Sequence, residues 1–165
     1  MKLQIVNATR QTVLCNACEE ADTQAKMRNG LLGKTSLRPG EGLLLPWCDS
    51  IHTYGMQFPI DVLFLDGNVV IDCAPDFAPG GTVKREGAKA ILELPAGTIE
   101  ATMTAAGDSL QLAPAGMPSN FIPGCKSVLE MLEGYKVLKP GTTKAIGDLM
   151  THAEKVHGVL QGVRR

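Results

Sequence analysis

Short hydrophobic runs, separated by turn-forming residues, recur between residues 3 and 112 of the chain. Each run is only three to five residues long, whereas helices of globular proteins average about 11 residues. Runs of this length that are rich in Val, Ile, Leu and Thr predict β-strands. The predicted strands cover residues 3–6, 12–15, 43–45, 62–65, 69–71, 90–94 and 109–112.

The strongest local signal is the turn Asp66-Gly67-Asn68. It separates the run Val-Leu-Phe-Leu (residues 62–65) from the run Val-Val-Ile (residues 69–71). An Asp-Gly pair between two such runs favours a tight turn with positive φ, which is typical of a β-hairpin. We therefore predict that these two strands pair antiparallel.

One helix is expected within this part of the chain. Residues 19–32 contain no proline and are rich in Ala, Gln, Lys and Met, and Gly33 is a suitable C-terminal stop. The later strands have no regular helix between them, whereas a parallel doubly wound sheet needs crossover helices. The pattern predicts a mainly β domain, an antiparallel sandwich or a barrel-like sheet with one short helix.

The pattern changes after residue 112, where prolines and glycines are frequent. Beyond them, hydrophobic residues recur at three- and four-residue steps, which predicts a helix. Those residues are Ile146, Leu149, Met150, Ala153, Val156 and Leu160. We predict a β domain over residues 1–112, a linker over 113–125 and a helical extension over 126–165 that docks on the domain or on a partner.

The composition excludes several classes of protein. The chain is 44% hydrophobic, and its 16 Lys and Arg nearly balance its 17 Asp and Glu. That balance gives no electrostatic surface for nucleic acid, and no apolar stretch approaches the roughly 18 residues of a membrane span. The first ten residues lack an apolar signal segment, so we expect a cytoplasmic protein with reduced cysteines.

Cys15 and Cys18 form a C-x-x-C pair. Such a pair can be half of a zinc site or a redox pair, but we favour the interpretation that they are two small residues at the end of a strand.

Four segments, taken in order, carry a resemblance to a known family. They are RNGLLG (28–33), EGLLL (41–45), SIHTYGMQFPIDVLFLD (50–66) and ILELPAG (91–97), the last followed by Gly107-Asp108. Together they closely resemble DUF192, an uncharacterised bacterial and archaeal family, over roughly residues 3–112. The resemblance implies a compact, mainly β sandwich with a short helix, and it implies no reaction.

The candidate chemistry lies in polar residues set among apolar strand residues. His52, Thr53 and Asp61 precede or begin a buried strand, and Glu93 lies in another. Buried polar groups are costly unless each finds a partner. A His with a carboxylate could act as a general base or contribute to a metal site, or all four residues could form a network that ties strands together.

Arg28, on the predicted helix, is the fifth candidate. Its guanidinium could pair with Glu93 or Asp108 and hold the helix to the sheet, or it could clamp an anionic ligand. The leading hypothesis is a binding module for a small ligand or a protein, with no cofactor or metal assigned and catalysis left open. The alternatives are a hydrolase-like enzyme using His52 with Asp61 or Glu93, and an accessory factor that recruits a partner through its C-terminal helix.

Overall fold

The described part of the chain, residues 2–116, is a mainly β fold in the computed structural model, as the sequence predicts. It contains nine strands and two short helices. In chain order these are β1 (Lys2–Asn7), β2 (Thr12–Glu20), α1 (Gln24–Asn29), β3 (Glu41–Pro46), β4 (Ser50–His52), β5 (Ile60–Asp66), β6 (Val69–Phe77), β7 (Thr82–Lys84), β8 (Ala90–Pro95), α2 (Thr98–Thr102) and β9 (Leu110–Pro114).

Seven strands form one curled sheet in the order β6-β5-β8-β3-β2-β1-β9. All neighbours are antiparallel except β2 and β3, which run parallel because α1 and the loop after it return the chain to the same end of the sheet. The outer strands approach each other at a bridge between Val69 and Ser109. The sheet is therefore a half-barrel, with β4 and β7 forming a separate two-stranded sheet.

The predicted hairpin is confirmed. β5 and β6 pair antiparallel, with Asp66 opposite Val69 at the turn. Gly67 lies at φ 57°, the left-handed backbone that an Asp-Gly turn requires. The Asp-Gly pair predicts the hairpin correctly because the turn and the two flanking strands favour the same structure.

The helices differ from the prediction. α1 is shorter than expected because β2 continues to Glu20 and the backbone turns at Gly30, where φ is 51°. The Thr23 side chain accepts a hydrogen bond from the Lys26 amide at 3.2 Å and begins the helix. A second helix, α2, was not predicted; five residues are too few to show a helical period.

The central strands are buried on both faces, so their sequence is continuously apolar rather than alternating. Side chains of neighbouring residues point to opposite faces of a strand. Leu63 and Leu94 pack in one hydrophobic cluster, whereas Val62 and Phe64 pack in the other. Polar side chains of β5 and β8 can therefore contact each other only when they lie on the same face of the sheet.

Two sequence predictions fall at or beyond the end of the described residues. The predicted linker began at residue 113, but residues 113 and 114 belong to β9, paired with β1. The rest of the linker from residue 117 and the helical extension over 126–165 lie outside the described residues. Within residues 2–116 no helix is long and apolar enough to cross a membrane, and the four cysteines there are free.

Candidate functional site

A pocket of about 90 Å³ lies between α1 with its following loop and the strands β3, β4 and β8. Its lining is of mixed polar and apolar character, and the apolar side chains in it are Met27, Leu31, Leu32, Leu45, Ile51 and Met56. Three of the five predicted site residues also line it: Arg28, His52 and Glu93. The fold therefore gathers these three from separate elements at one cavity.

Glu93 is the buried acid of this pocket. Its neighbours in the sheet are Leu43 on β3 and Val62 on β5, both apolar. The side chain is 4% exposed, and among the described residues its Oε2 atom has no hydrogen-bond partner. Burial raises the pKa of Glu93 from 4.5 to about 7.

Arg28 lies in the last turn of α1, at the side of the pocket, and is exposed. The alternative in which it pairs with Asp108 is wrong, because Arg10 takes that position, with its Nε atom 3.0 Å from Asp108 Oδ2. Asn7 also donates to Asp108 from 2.9 Å. Within residues 2–116 Arg28 forms no ion pair, with Glu93 or with any other acid.

His52 is the last residue of β4 and its side chain is exposed. Its imidazole stacks on the ring of Tyr54, with centroids 5.6 Å apart and planes 27° from parallel. Tyr54 is itself exposed, and its hydroxyl lies 3.3 Å from the Thr82 hydroxyl on β7. His52 also lines the pocket, and because its side chain is exposed it can contact both solvent and a ligand.

Thr53 does not line the pocket and acts within the framework. It is fully buried, its hydroxyl donates to the carbonyl of Ala78 at 2.8 Å, and it accepts from the amide of Gly81 at 3.0 Å. These bonds hold the loop before β7 against the end of β4. For Thr53 the geometry agrees with the network interpretation of the sequence.

Asp61 also lies away from the pocket, contrary to the hypothesis that joins it with His52. It sits opposite Leu94 in the sheet, whereas Glu93 sits opposite Val62, so the two acids point to opposite faces. The Asp61 carboxylate accepts from the amide of Asp76 at 2.8 Å and from the amide of Ile99 at 2.6 Å. It therefore fixes β6 and the first turn of α2.

Some of the pocket residues were not predicted. Cys48 and Ser50 line the cavity, and the Cys48 thiol donates to the Ser50 carbonyl at 3.0 Å. The available signal is their position beside His52: Ser50 begins the segment over residues 50–66, and Cys48 lies two residues before it. Among residues 2–116 there is no group of three or more His, Cys, Asp or Glu side chains able to hold a metal ion.

Comparison with known proteins agrees with the fold. The model of the family DUF192, described as "Uncharacterized ACR", matches residues 5–112. The chain belongs to the DUF192 family. No protein with a curated description matches this DUF192 chain.

Two crystal structures resemble the DUF192 domain. One is a candidate transcription regulator from Sinorhizobium meliloti 1021, with a TM-score of 0.58 and 19% identity over 67% of this chain and 91% of that one. The other is a protein of unknown function from Novosphingobium aromaticivorans DSM 12444, with a TM-score of 0.58 and 20% identity over 67% of this chain and 84% of that one. At this identity the likeness establishes a shared fold.

Proposed function

We propose that this DUF192 domain binds a small polar molecule in the pocket lined by Arg28, His52 and Glu93. The observation that carries the proposal is the buried Oε2 atom of Glu93, which has no hydrogen-bond partner among the described residues. Such an atom destabilises a fold by about 1–3 kcal/mol unless something outside the fold satisfies it. A ligand with a hydrogen-bond donor would do so.

The remaining lining supports a ligand of mixed character. Arg28 and His52 are exposed and offer donors at the side of the pocket, while Leu45, Ile51 and Met56 present an apolar wall. Ligand sites commonly combine such a wall with a few polar groups that fix orientation. The chemistry supports binding of a short molecule that has both aliphatic and polar parts.

The test is a titration of the protein with small amines, alcohols and carboxylates, followed by amide chemical shifts in two-dimensional NMR spectra. At least one class should shift the amides of residues 27–32 and 50–56. Glu93→Gln should weaken the response, whereas Glu86→Gln, a matched change at an exposed acid, should keep it. A Glu93→Gln variant that responds like the parent, or a full set without response, would refute the proposal.

Acid–base catalysis in the same pocket is a second candidate. The favouring observation is that Glu93, whose pKa is raised to about 7 by burial, lines the pocket together with His52. General bases and acids work best with a pKa near the working pH. Hydrolysis of p-nitrophenyl acetate should then slow by at least about tenfold in Glu93→Gln and in His52→Ala. Rates equal to the parent in both variants would exclude this hydrolase.

The third function considered from the sequence, recruitment of a protein partner, depends on residues 126–165, which lie outside the described residues. It stays a prediction, as does the cytoplasmic location. Pull-down with the full chain and with a chain ending at Gly116 would test recruitment, since unchanged capture by the shorter chain would reject a role for the extension.

A further inference from the structure

We propose that the ligand is a small amine-bearing anion, bound with its ammonium group at Glu93 and its carboxylate or phosphate at Arg28. This proposal deepens the proposed function and rests on it. It assigns each end of the ligand to one ionisable side chain of the pocket, and it makes each end separately testable.

The amine end follows from the surroundings of Glu93. The sheet neighbours of Glu93, Leu43 and Val62, offer no side-chain donor, and the nearby Cys48 thiol already donates to Ser50. An ionised carboxylate only accepts hydrogen bonds, so its ligand must donate. An ammonium group supplies three donors and a positive charge, and charge-assisted hydrogen bonds are roughly twice as strong as neutral ones.

The anionic end follows from Arg28. Arg28 lines the same pocket, is exposed, and makes no ion pair within residues 2–116. A guanidinium binds carboxylate and phosphate through paired hydrogen bonds. With Glu93 ionised, the two side chains carry opposite charges, which a molecule with both an ammonium and an anionic group complements.

The cavity also limits the length of the ligand. A volume of about 90 Å³ is well below the roughly 300–1,000 Å³ of a typical ligand pocket, so the cavity suits a short chain with a terminal amine. The anionic group then stays outside, on the exposed side where Arg28 and His52 lie. An ω-amino acid or an aminoalkyl phosphate has this shape.

The ionisable groups that line the pocket with Glu93 are Arg28 from α1, His52 from β4 and Cys48 from the segment after β3. An ammonium group binds the ionised form of Glu93. Its affinity should therefore rise as the pH increases through about 7, where that carboxyl loses its proton. Binding below that pH should release a proton, detectable by calorimetry in buffers of different ionisation enthalpy.

The experiment titrates the full 165-residue chain with γ-aminobutyrate and aminopropyl phosphate, and with butyrate and butylamine as probes that lack one end. At about pH 8 the two-ended probes should bind at least about tenfold more tightly than either one-ended probe. Glu93→Gln should remove the preference for the amine, and Arg28→Gln the preference for the anion. Glu86→Gln and Arg38→Gln, at exposed positions outside the pocket, should change neither.

Each outcome decides the matter. Equal affinity for one-ended and two-ended probes, or an amine preference that survives Glu93→Gln, overturns this inference. If molecules without an amine bind as tightly as the two-ended probes and shift the same pocket amides, the inference fails while the proposed function survives. If no molecule shifts them, both fail. A preference for aminopropyl phosphate over γ-aminobutyrate, or the reverse, supports the inference and identifies the anionic group.

Discussion

Replacing Glu93 by Gln should change the pH dependence of folding stability. In the folded chain, burial raises the pKa of Glu93 from 4.5 to about 7. Glutamine has nearly the same shape as glutamate but does not titrate. The substitution therefore removes the proton-binding site of Glu93 and leaves the other ionisable groups of the pocket in place. The effect can be calculated from the two pKa values because stability and proton binding are thermodynamically linked.

The direction follows from which state holds the proton. Below pH 4.5 both the folded and the unfolded chain carry a protonated Glu93, and its titration contributes nothing to stability. Between that pH and about 7 the unfolded chain loses the proton while the folded chain retains it, so the free energy of unfolding falls. Above about 7 both are ionised and the loss is complete. At about 1.4 kcal/mol per pH unit, the total loss is about 3 kcal/mol.

The assay is urea denaturation of the parent and Glu93→Gln at about pH 4 and about pH 8, without added ligand. The free energy of unfolding of Glu93→Gln minus that of the parent should increase by about 3 kcal/mol between the two pH values. All other ionisable groups are common to both proteins and cancel in this difference. Glu86→Gln should show no such increase, because Glu86 is exposed. Parallel behaviour of Glu93→Gln and the parent would refute the reasoning.

Two substitutions in the framework give further predictions. Asp61→Ala should lower the free energy of unfolding by about 1–3 kcal/mol in urea denaturation, because the amides of Asp76 and Ile99 lose their acceptor; an unchanged midpoint would contradict this role. Gly42→Ala should cost about 1–3 kcal/mol in the same assay, because the added Cβ would lie 3.2 Å from the Glu93 carbonyl oxygen and 3.3 Å from the Cys15 sulfur. If Gly42→Ala had the same free energy of unfolding as the parent, β3 and β8 would be able to move apart without a cost in stability, and this prediction would be wrong.

The sequence predicts the strands well where local and global preferences coincide. The β5–β6 hairpin and the strand at β8 follow from short apolar runs ended by turn residues. The three-residue strands β4 and β7 escape detection because they are too short to show a period. The bridge between Val69 and Ser109 at the two edges of the sheet is a contact between residues far apart in the chain, which no local pattern reveals.

The site could be predicted only as a set of residues. Arg28, His52 and Glu93 are polar residues in or near apolar segments, which makes them candidates, and the structure brings them to one pocket. Thr53 and Asp61 met the same criterion but serve the framework. The sequence could not separate the two groups, because both consist of polar residues beside buried strands. The face of the sheet on which each side chain lies depends on the register of strand pairing, which only the tertiary structure gives.

Asp61 and Glu93 together show which buried acid is the better candidate for function. Both are nearly inaccessible, at 0% and 4% exposed, and they lie on adjacent strands. Asp61 accepts two backbone amides, so its burial is compensated and its presence is explained by the fold. Glu93 has no partner for Oε2 among the described residues, and its titration alone destabilises the folded chain by about 3 kcal/mol above about pH 7. A ligand that donates to the ionised form of Glu93 would reverse part of that loss, so added ligand should raise the free energy of unfolding more above about pH 7 than below it.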